Sequence, residues 1–388
     1  MSILEGYAVL TKAMIGVGIL SLGKAMADSG WYSGVAISVI SPLVMAFALY
    51  LLTALASDFK KKIPDELSYY KVASTLSVPA AIILDIAIAV SSFGCAVAYS
   101  VVSGAMLHEI LGTWSPSVVV IKIVVVCLLS PFCFARTLKR TKIVNFIGLA
   151  CIAYIVIYAV VMSDPFGAKM SGNADDLYYP RSWRAVVGSI PKFIFAYGCT
   201  QNLFGVANEM TTFSATRMNL MSFLAIITAS IFNTVCSVFP FITFGRATSS
   251  NFLKNFATDT TFWTHAVHGA AAFQVSIGYV LIFHPLRSSL IGCIKRYQLL
   301  SEISEERLRF LVSVIVLVTT LLTSLLIGND LGVVINLTGL LGNTTMSFVI
   351  PSYLYCLSRT LSFTWFFSAV LLVCATLLFP LVIYDLLG

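Results

Sequence analysis

Along this chain apolar positions come in long unbroken stretches separated by short polar connections. Cutting them at charge, Pro or Gly predicts helices over residues 5–27, 32–55, 79–111, 118–134, 143–163, 187–208, 218–242, 264–292, 309–327, 330–353 and 362–386. Within each stretch the apolar residues are continuous. The alternating ten-residue segments of a membrane barrel are absent from the pattern. About twenty apolar residues rising about 1.5 Å each span a hydrocarbon core of roughly 30 Å. Lipid offers no partner to backbone N–H and C=O groups, so a crossing segment must satisfy them internally, as a helix does. The pattern therefore predicts an all-α integral membrane protein of about eleven transmembrane helices. The third stretch exceeds the core thickness and is expected to tilt or to project on one side.

Composition agrees. The 388 residues are 59% hydrophobic and 11% charged, whereas soluble chains are about a quarter charged. The net charge of +7 sits in the connections, where it reads as a topology signal, and no nucleic-acid partner is expected. With a cytoplasmic N-terminus, fifteen Lys and Arg fall in inner connections, among them Lys60, Lys61, Lys62, Arg136, Lys139, Arg140, Arg287, Lys295 and Arg296. Five (Lys169, Arg181, Arg184, Arg246 and Lys254) fall in outer ones, so the positive-inside rule places the N-terminus in the cytoplasm. The longest outer connection, Ser163 to Arg184, carries Asp164, Asp175 and Asp176 and holds no second domain. Nine cysteines include no CxxC pair, so neither a disulfide framework nor a metal site is expected. Met1 to Leu10 lacks the basic start and small-residue cleavage site of a signal peptide, and the first stretch is expected to remain as a helix.

Two stretches contain weak points. The first holds Gly16-Val17-Gly18 in its middle, and the sixth holds Ala196-Tyr197-Gly198-Cys199-Thr200 followed by Gln201 and Asn202. Such glycines lower helix propensity and let the backbone open, although they would equally suit close helix packing. The first and sixth stretches hold corresponding positions in two sets of five, residues 1–163 and 187–353, with 362–386 left over. Paired interruptions of this kind point to a transporter of the inverted-repeat class.

The segment Ala13 to Trp31, AMIGVGILSLGKAMADSGW, resembles the first-helix signature of the amino acid/auxin permease family. So do Phe239 to Phe256 (FPFITFGRATSSNFLKNF), the FHPLR segment Phe283 to Arg287, and Leu337 to Tyr355 with Gly339, Gly342, Pro351 and Tyr355. The resemblance implies the 5+5 inverted-repeat amino-acid-permease fold, with substrate held between the first, third, sixth, eighth and tenth spans. By that likeness, backbone near Gly16, Val17, Gly18, Ile19 and Phe195, Tyr197, Gly198, Cys199 meets the α-carboxylate and α-amine. Ser91, Ser92, Phe93 and Ser276 wall the pocket. Gly18 and Gly198 carry this hypothesis most heavily, as places where a side chain would fill ligand space.

The departures concern coupling. By the same likeness, sodium-coupled members are expected to have Asn where Lys12 stands and Thr where Gly278 stands in this chain. An ammonium in place of a neutral oxygen repels a sodium ion, so no cofactor is expected and the coupling ion is expected to be H+ rather than Na+. Lys12 is the candidate pocket cation, with snorkelling into water as its alternative role. Asp85 and His284, also ionisable and embedded, are candidates for a proton relay or inner gate, or separate groups in a wet vestibule. His265 and His268, one turn apart, are expected at the surface.

A membrane enzyme would need a nucleophile with its base, or clustered His and Asp, and the four histidines make no such group. A channel would need a filter-like run. The expected function is secondary active transport of amino acids by a monomer embedded in the lipid bilayer. Neutral ones come first, because no acidic residue is placed in the expected pocket; cationic amino acids or auxin-like acids come second. Plasma and vacuolar or lysosomal membranes both fit.

Overall fold

Backbone surrounded by apolar side chains must bond to itself, and the computed structural model is built from helices joined by short connections. It describes residues 2–62, 67–134, 141–165, 167, 177–210, 213–259, 261–296, 298, 303–328 and 330–387. Arg136, Lys139, Arg140, Lys169, Asp175 and Asp176 lie outside the described residues. The helices are α1 (Ile3–Met14), a 3₁₀ segment (Val17–Ser21), α2 (Leu22–Ser29), α3 (Trp31–Lys62), α4 (Tyr69–Leu76), α5 (Val78–Leu111), α6 (Val118–Phe134) and α7 (Thr141–Val161). The second half has α8 (Trp183–Phe195), α9 (Thr200–Glu209), α10 (Ala215–Phe244), a 3₁₀ segment (Phe252–Phe256), α11 (Phe262–Arg296) and α12 (Glu305–Leu326). It ends with α13 (Leu331–Leu337), a π-helical stretch (Thr338–Val349), α14 (Ile350–Ser358) and α15 (Phe363–Leu387).

Starts are set by side-chain caps that satisfy orphan N–H groups. Ser2 and Glu5 form a reciprocal capping box at α1. Ser68, Ser77, Ser182 and Ser214 accept from Lys71, Ala80, Ala185 and Arg217 N–H respectively.

Each of the eleven apolar stretches falls on helix. Among the described residues seven helices are long and apolar enough to cross a membrane singly, and the pair α1/α2, bent by 40°, makes an eighth; Val118–Phe134 and Phe146–Val161 are shorter apolar helices. The short α4 and the π-helical stretch had no signal in the apolar pattern.

The long helices α5 and α11 lie against each other and form the centre. The π-helical stretch and α12 pack on α5, α10 packs on α1, α2 and α3, and α7 packs on α11 and α10. Large apolar residues such as Leu43, Leu128, Phe223, Leu322 and Phe366 point outward, as a lipid-facing surface requires. The last helix, α15, is the most peripheral of the seven, with 17% of its apolar window buried.

Candidate functional site

The first span breaks at Ile15–Gly16 and the sixth at Ala196–Cys199, each in mid-span. Ile15 closes α1 by donating its N–H to the Thr11 carbonyl at 2.9 Å, and the chain resumes as 3₁₀ helix from Val17. In the sixth span Tyr197 and Gly198 N–H bond back to Ile194 and Phe195 carbonyls, both at 3.2 Å. The chain then enters α9 at Cys199, which has no side-chain cap. Each break sets the carbonyl end of one half-helix beside the N–H start of the next, and the partial charges of these ends favour a cation at one place and an anion at its neighbour.

The two breaks touch. A Cβ built on Gly18 would lie 2.8 Å from Phe195 Cδ1 and 3.1 Å from Ala196 Cα. On Gly16 it would meet only Tyr99 Oη, at 3.1 Å, with nothing else within 4 Å. On Gly198 it would lie 2.5 Å from Asn343 Nδ2. Open space is therefore at Gly16, whereas a side chain at Gly18 or Gly198 would press on protein atoms. Gly18 and Gly198 border the cavity beside the breaks, although the first atoms a side chain there would meet belong to Phe195, Ala196 and Asn343.

Beside the breaks lies a cavity of about 410 Å³, large enough for an amino acid with some water. Its walls follow helical spacing: Val9, Lys12, Ala13 and Gly16 from the first span, Ser91, Cys95 and Tyr99 from α5, and Gly278, Leu281, Ile282 and Pro285 from α11. Val17, Gly18, Phe195, Gly198, Gln201, Asn202, Glu209, Asn343 and Met346 also line it. Glu209, at the far end of α9, is exposed, so the cavity opens on the face that carries the N-terminus.

Toward the opposite face, the described residues are tied across the breaks by ion pairs and hydrogen bonds. Asp28 of α2 binds Lys24 and Lys192 of α8, each at 3.0 Å. Arg246 donates to the Ala27 carbonyl at 3.0 Å and the Tyr179 carbonyl at 2.7 Å, and Phe252, Leu253 and Phe256 are buried beneath.

Of the expected site residues, Gly16, Val17, Gly18, Ser91, Phe195, Gly198, Lys12 and Gly278 line the cavity; Ile19, Ser92, Phe93, Tyr197, Cys199 and Ser276 do not. Ser91, Ser92 and Phe93 are consecutive, and successive helical residues turn by about 100°, so they cannot share a face. The face continuing from Ser91 is Cys95 and Tyr99. Ser276 stands two residues from Gly278, nearly opposite it. Ile19, Tyr197 and Cys199 are core residues, at most 2% exposed, and Ser92 Oγ is buried without a hydrogen-bond partner.

Lys12 is 9% exposed, and a Cβ on Gly148 of α7 would lie 2.8 Å from its Cε and 3.2 Å from its Nζ. The ammonium is thus tucked against α7. Among the described residues it forms no ion pair. Tyr99 lies over Gly278, whose Cβ would be 2.8 Å from the ring carbon Cζ; no threonine side chain fits there while the ring holds that place.

Asp85 and His284 are held apart. Asp85 pairs with Arg296, which stacks on Tyr70 at 3.6 Å. His284 Nδ1 accepts from Arg287 at 3.1 Å, and Arg287 also donates to the Cys133 carbonyl at 2.7 Å. Neither lines the cavity, and each has its own arginine partner. His268, expected at the surface, is 1% exposed and bonds through Nε2 with the Leu253 carbonyl at 3.2 Å. Among the described residues no cluster of His, Cys, Asp or Glu is arranged to hold a metal.

Comparison with known proteins adds an independent line. The family model described as "transmembrane amino acid transporter protein" matches residues 1–387. The chain is 28% identical over 355 residues to vacuolar amino acid transporter 5 of Schizosaccharomyces pombe, covering 89% of this chain and 82% of that one. It is 24% identical over 319 residues to vacuolar amino acid transporter 6 of Saccharomyces cerevisiae, covering 79% and 68%. It is 25% identical over 358 residues to sodium-coupled neutral amino acid transporter 7 of Xenopus laevis, covering 85% and 75%.

Proposed function

Because the chain belongs to the family of transmembrane amino acid transporter proteins, we propose that it is a secondary active carrier of amino acids, neutral ones preferred. It works by alternating access around the cavity between the first, third, sixth, eighth and tenth spans. In this reading eleven helices cross the bilayer, as two five-helix repeats of opposite orientation, 1–163 and 187–353, and an eleventh helix. The observation that carries the proposal is the meeting of two mid-span breaks beside a cavity of about 410 Å³. Carbonyls ending α1 and α8 suit an α-ammonium, and the uncapped N-terminus of α9 suits an α-carboxylate. A zwitterion needs both.

Lys12 and Gly278 support proton over sodium coupling. The Lys12 ammonium stands where a sodium ion would need an oxygen ligand, and Tyr99 covers Gly278 where a threonine hydroxyl would be required. Lys12 supplies the cation itself, and gives up and regains its proton as the cavity changes sides. The wall of Met14, Phe195, Leu281 and Met346 favours neutral side chains. Glu209 at the mouth gives cationic amino acids as the second reading, a carboxylate that the sequence did not place in the pocket. The two fungal relatives named as vacuolar transporters favour a vacuolar or lysosomal membrane over the plasma membrane, with the N-terminus and the open mouth cytoplasmic.

The test is uptake of labelled amino acids into proteoliposomes under imposed ion gradients. A proton gradient is expected to drive accumulation in sodium-free medium. Uptake that strictly requires sodium overturns the coupling proposal, and no uptake of any amino acid under any gradient overturns the carrier proposal.

A further inference from the structure

Asn343 sits in the π-helical stretch Thr338–Val349. Such wide turns are uncommon and concentrate at functional sites. Small residues let this stretch come close: Gly339 packs on the Pro191 carbonyl, and a Cβ on Gly342 would lie 2.7 Å from Ser91 Cβ. Both ends of the Asn343 amide are engaged. Its Oδ1 accepts from Ser91 Oγ at 2.7 Å, and its Nδ2 donates to the Phe195 carbonyl at 3.4 Å. The side chain is 3% exposed and lines the cavity. One amide therefore joins α5, the sixth-span break and the space where a ligand sits.

The two bonds differ in strength. The first is short and fixes the amide's orientation. The second is long, and its acceptor is a carbonyl at a half-helix C-terminus, which carries partial negative charge. An α-ammonium makes shorter, charge-assisted bonds of about 2.7–2.9 Å to such an oxygen. It would displace the weak amide contact and leave Nδ2 facing the cavity as a free donor.

We propose that Asn343 determines specificity at this site, exchanging its Nδ2 contact from the Phe195 carbonyl to an oxygen of the bound amino acid as the substrate ammonium takes that carbonyl. The substrate class is an α-amino acid carrying both groups, with an uncharged side chain. The inference rests on the cavity being the substrate site.

The experiment measures uptake and competition by alanine, glutamine, arginine and glutamate for wild type, Asn343→Asp, Ser91→Ala and Gly16→Leu in proteoliposomes. Asn343→Asp is isosteric, keeps the acceptor for Ser91, removes the donor and adds negative charge. KM for neutral substrates is expected to rise about tenfold or more, with arginine gaining about tenfold relative to glutamine and glutamate losing most. Ser91→Ala unfastens the amide and is expected to raise KM several-fold with Vmax unchanged. Folded Asn343→Asp protein with the wild-type KM ratios overturns the assignment. If that variant does not fold, an unchanged KM in Ser91→Ala overturns it instead. In either case loss of wild-type uptake in Gly16→Leu leaves the cavity reading standing. Full binding by Gly16→Leu overturns the cavity reading, and the Asn343 assignment with it.

Discussion

Gly16, Gly18 and Gly198 look alike in the sequence and do different work. A methyl on Gly18 would press on Phe195 and the Ala196 backbone. Gly18→Ala is thus expected to destabilise the protein by about 1–3 kcal/mol, lowering the melting temperature in detergent, and an unchanged midpoint would mean that Phe195 gives way at little cost. Gly16 has φ −103° and ψ −148°, outside the left-handed region that favours glycine, and open space beyond Tyr99 Oη. Gly16→Leu is therefore expected to fold and to lose substrate binding by about a hundredfold or more, read by substrate-induced thermal shift. A normal shift removes the first-span break from the site. Lys12→Gln keeps the stem packed on Gly148 and deletes the charge. Proton-driven accumulation should vanish while exchange of unlabelled for labelled substrate persists, and concentrative uptake in this variant contradicts Lys12 as the coupling group.

At the scale of elements, the apolar stretches and both breaks were legible, because lipid forces continuous apolar helices and glycine weakens them visibly. Which face of each helix meets the cavity was less so. The third span's lining, Ser91, Cys95 and Tyr99, follows from the spacing of four once Ser91 is chosen, yet nothing in a uniformly apolar helix marks that choice. Asn343 was hidden further, since a π turn leaves no trace in apolar periodicity. Lys122 is a similar case. It lies inside an apolar helix, 2% exposed, with its stem against Gly104, whose Cβ would be 2.5 Å from Lys122 Cγ. Its ammonium donates to the Ser324 and Gly328 carbonyls at 2.8 and 2.5 Å, satisfying orphan groups at the end of α12. Lys122→Met should leave those carbonyls unsatisfied and cost about 1–3 kcal/mol. Thermal unfolding in detergent checks this, and an unchanged midpoint means the carbonyls find other partners.

At the scale of the whole molecule, the proposed alternating cycle would make this structure one of its ends, with the cavity lined by Glu209 toward the N-terminal face and ion pairs and hydrogen bonds closing the other. The closure is polar and local. Asp28 joins the outer half of the first span to the outer half of the sixth through Lys192, whose side chain is 11% exposed, and takes Lys24 as a second partner. Two cations around one carboxylate hold only while the carboxylate is charged. In Asp28→Asn the lysines repel and each half-helix loses its tie, so the closed arrangement should weaken by roughly 1–2 kcal/mol, discounted for partial exposure. That shift would raise the population of the opposite, open state about five- to thirtyfold. The measurement is amide hydrogen exchange in the substrate-free protein. Residues 24–29 and 246–256 should exchange faster in the variant, with the centres of α5 and α11 unchanged as the internal reference. Equal exchange in both segments would mean that the buried aromatic residues Phe252 and Phe256, rather than the lysine–aspartate cluster, hold this side shut.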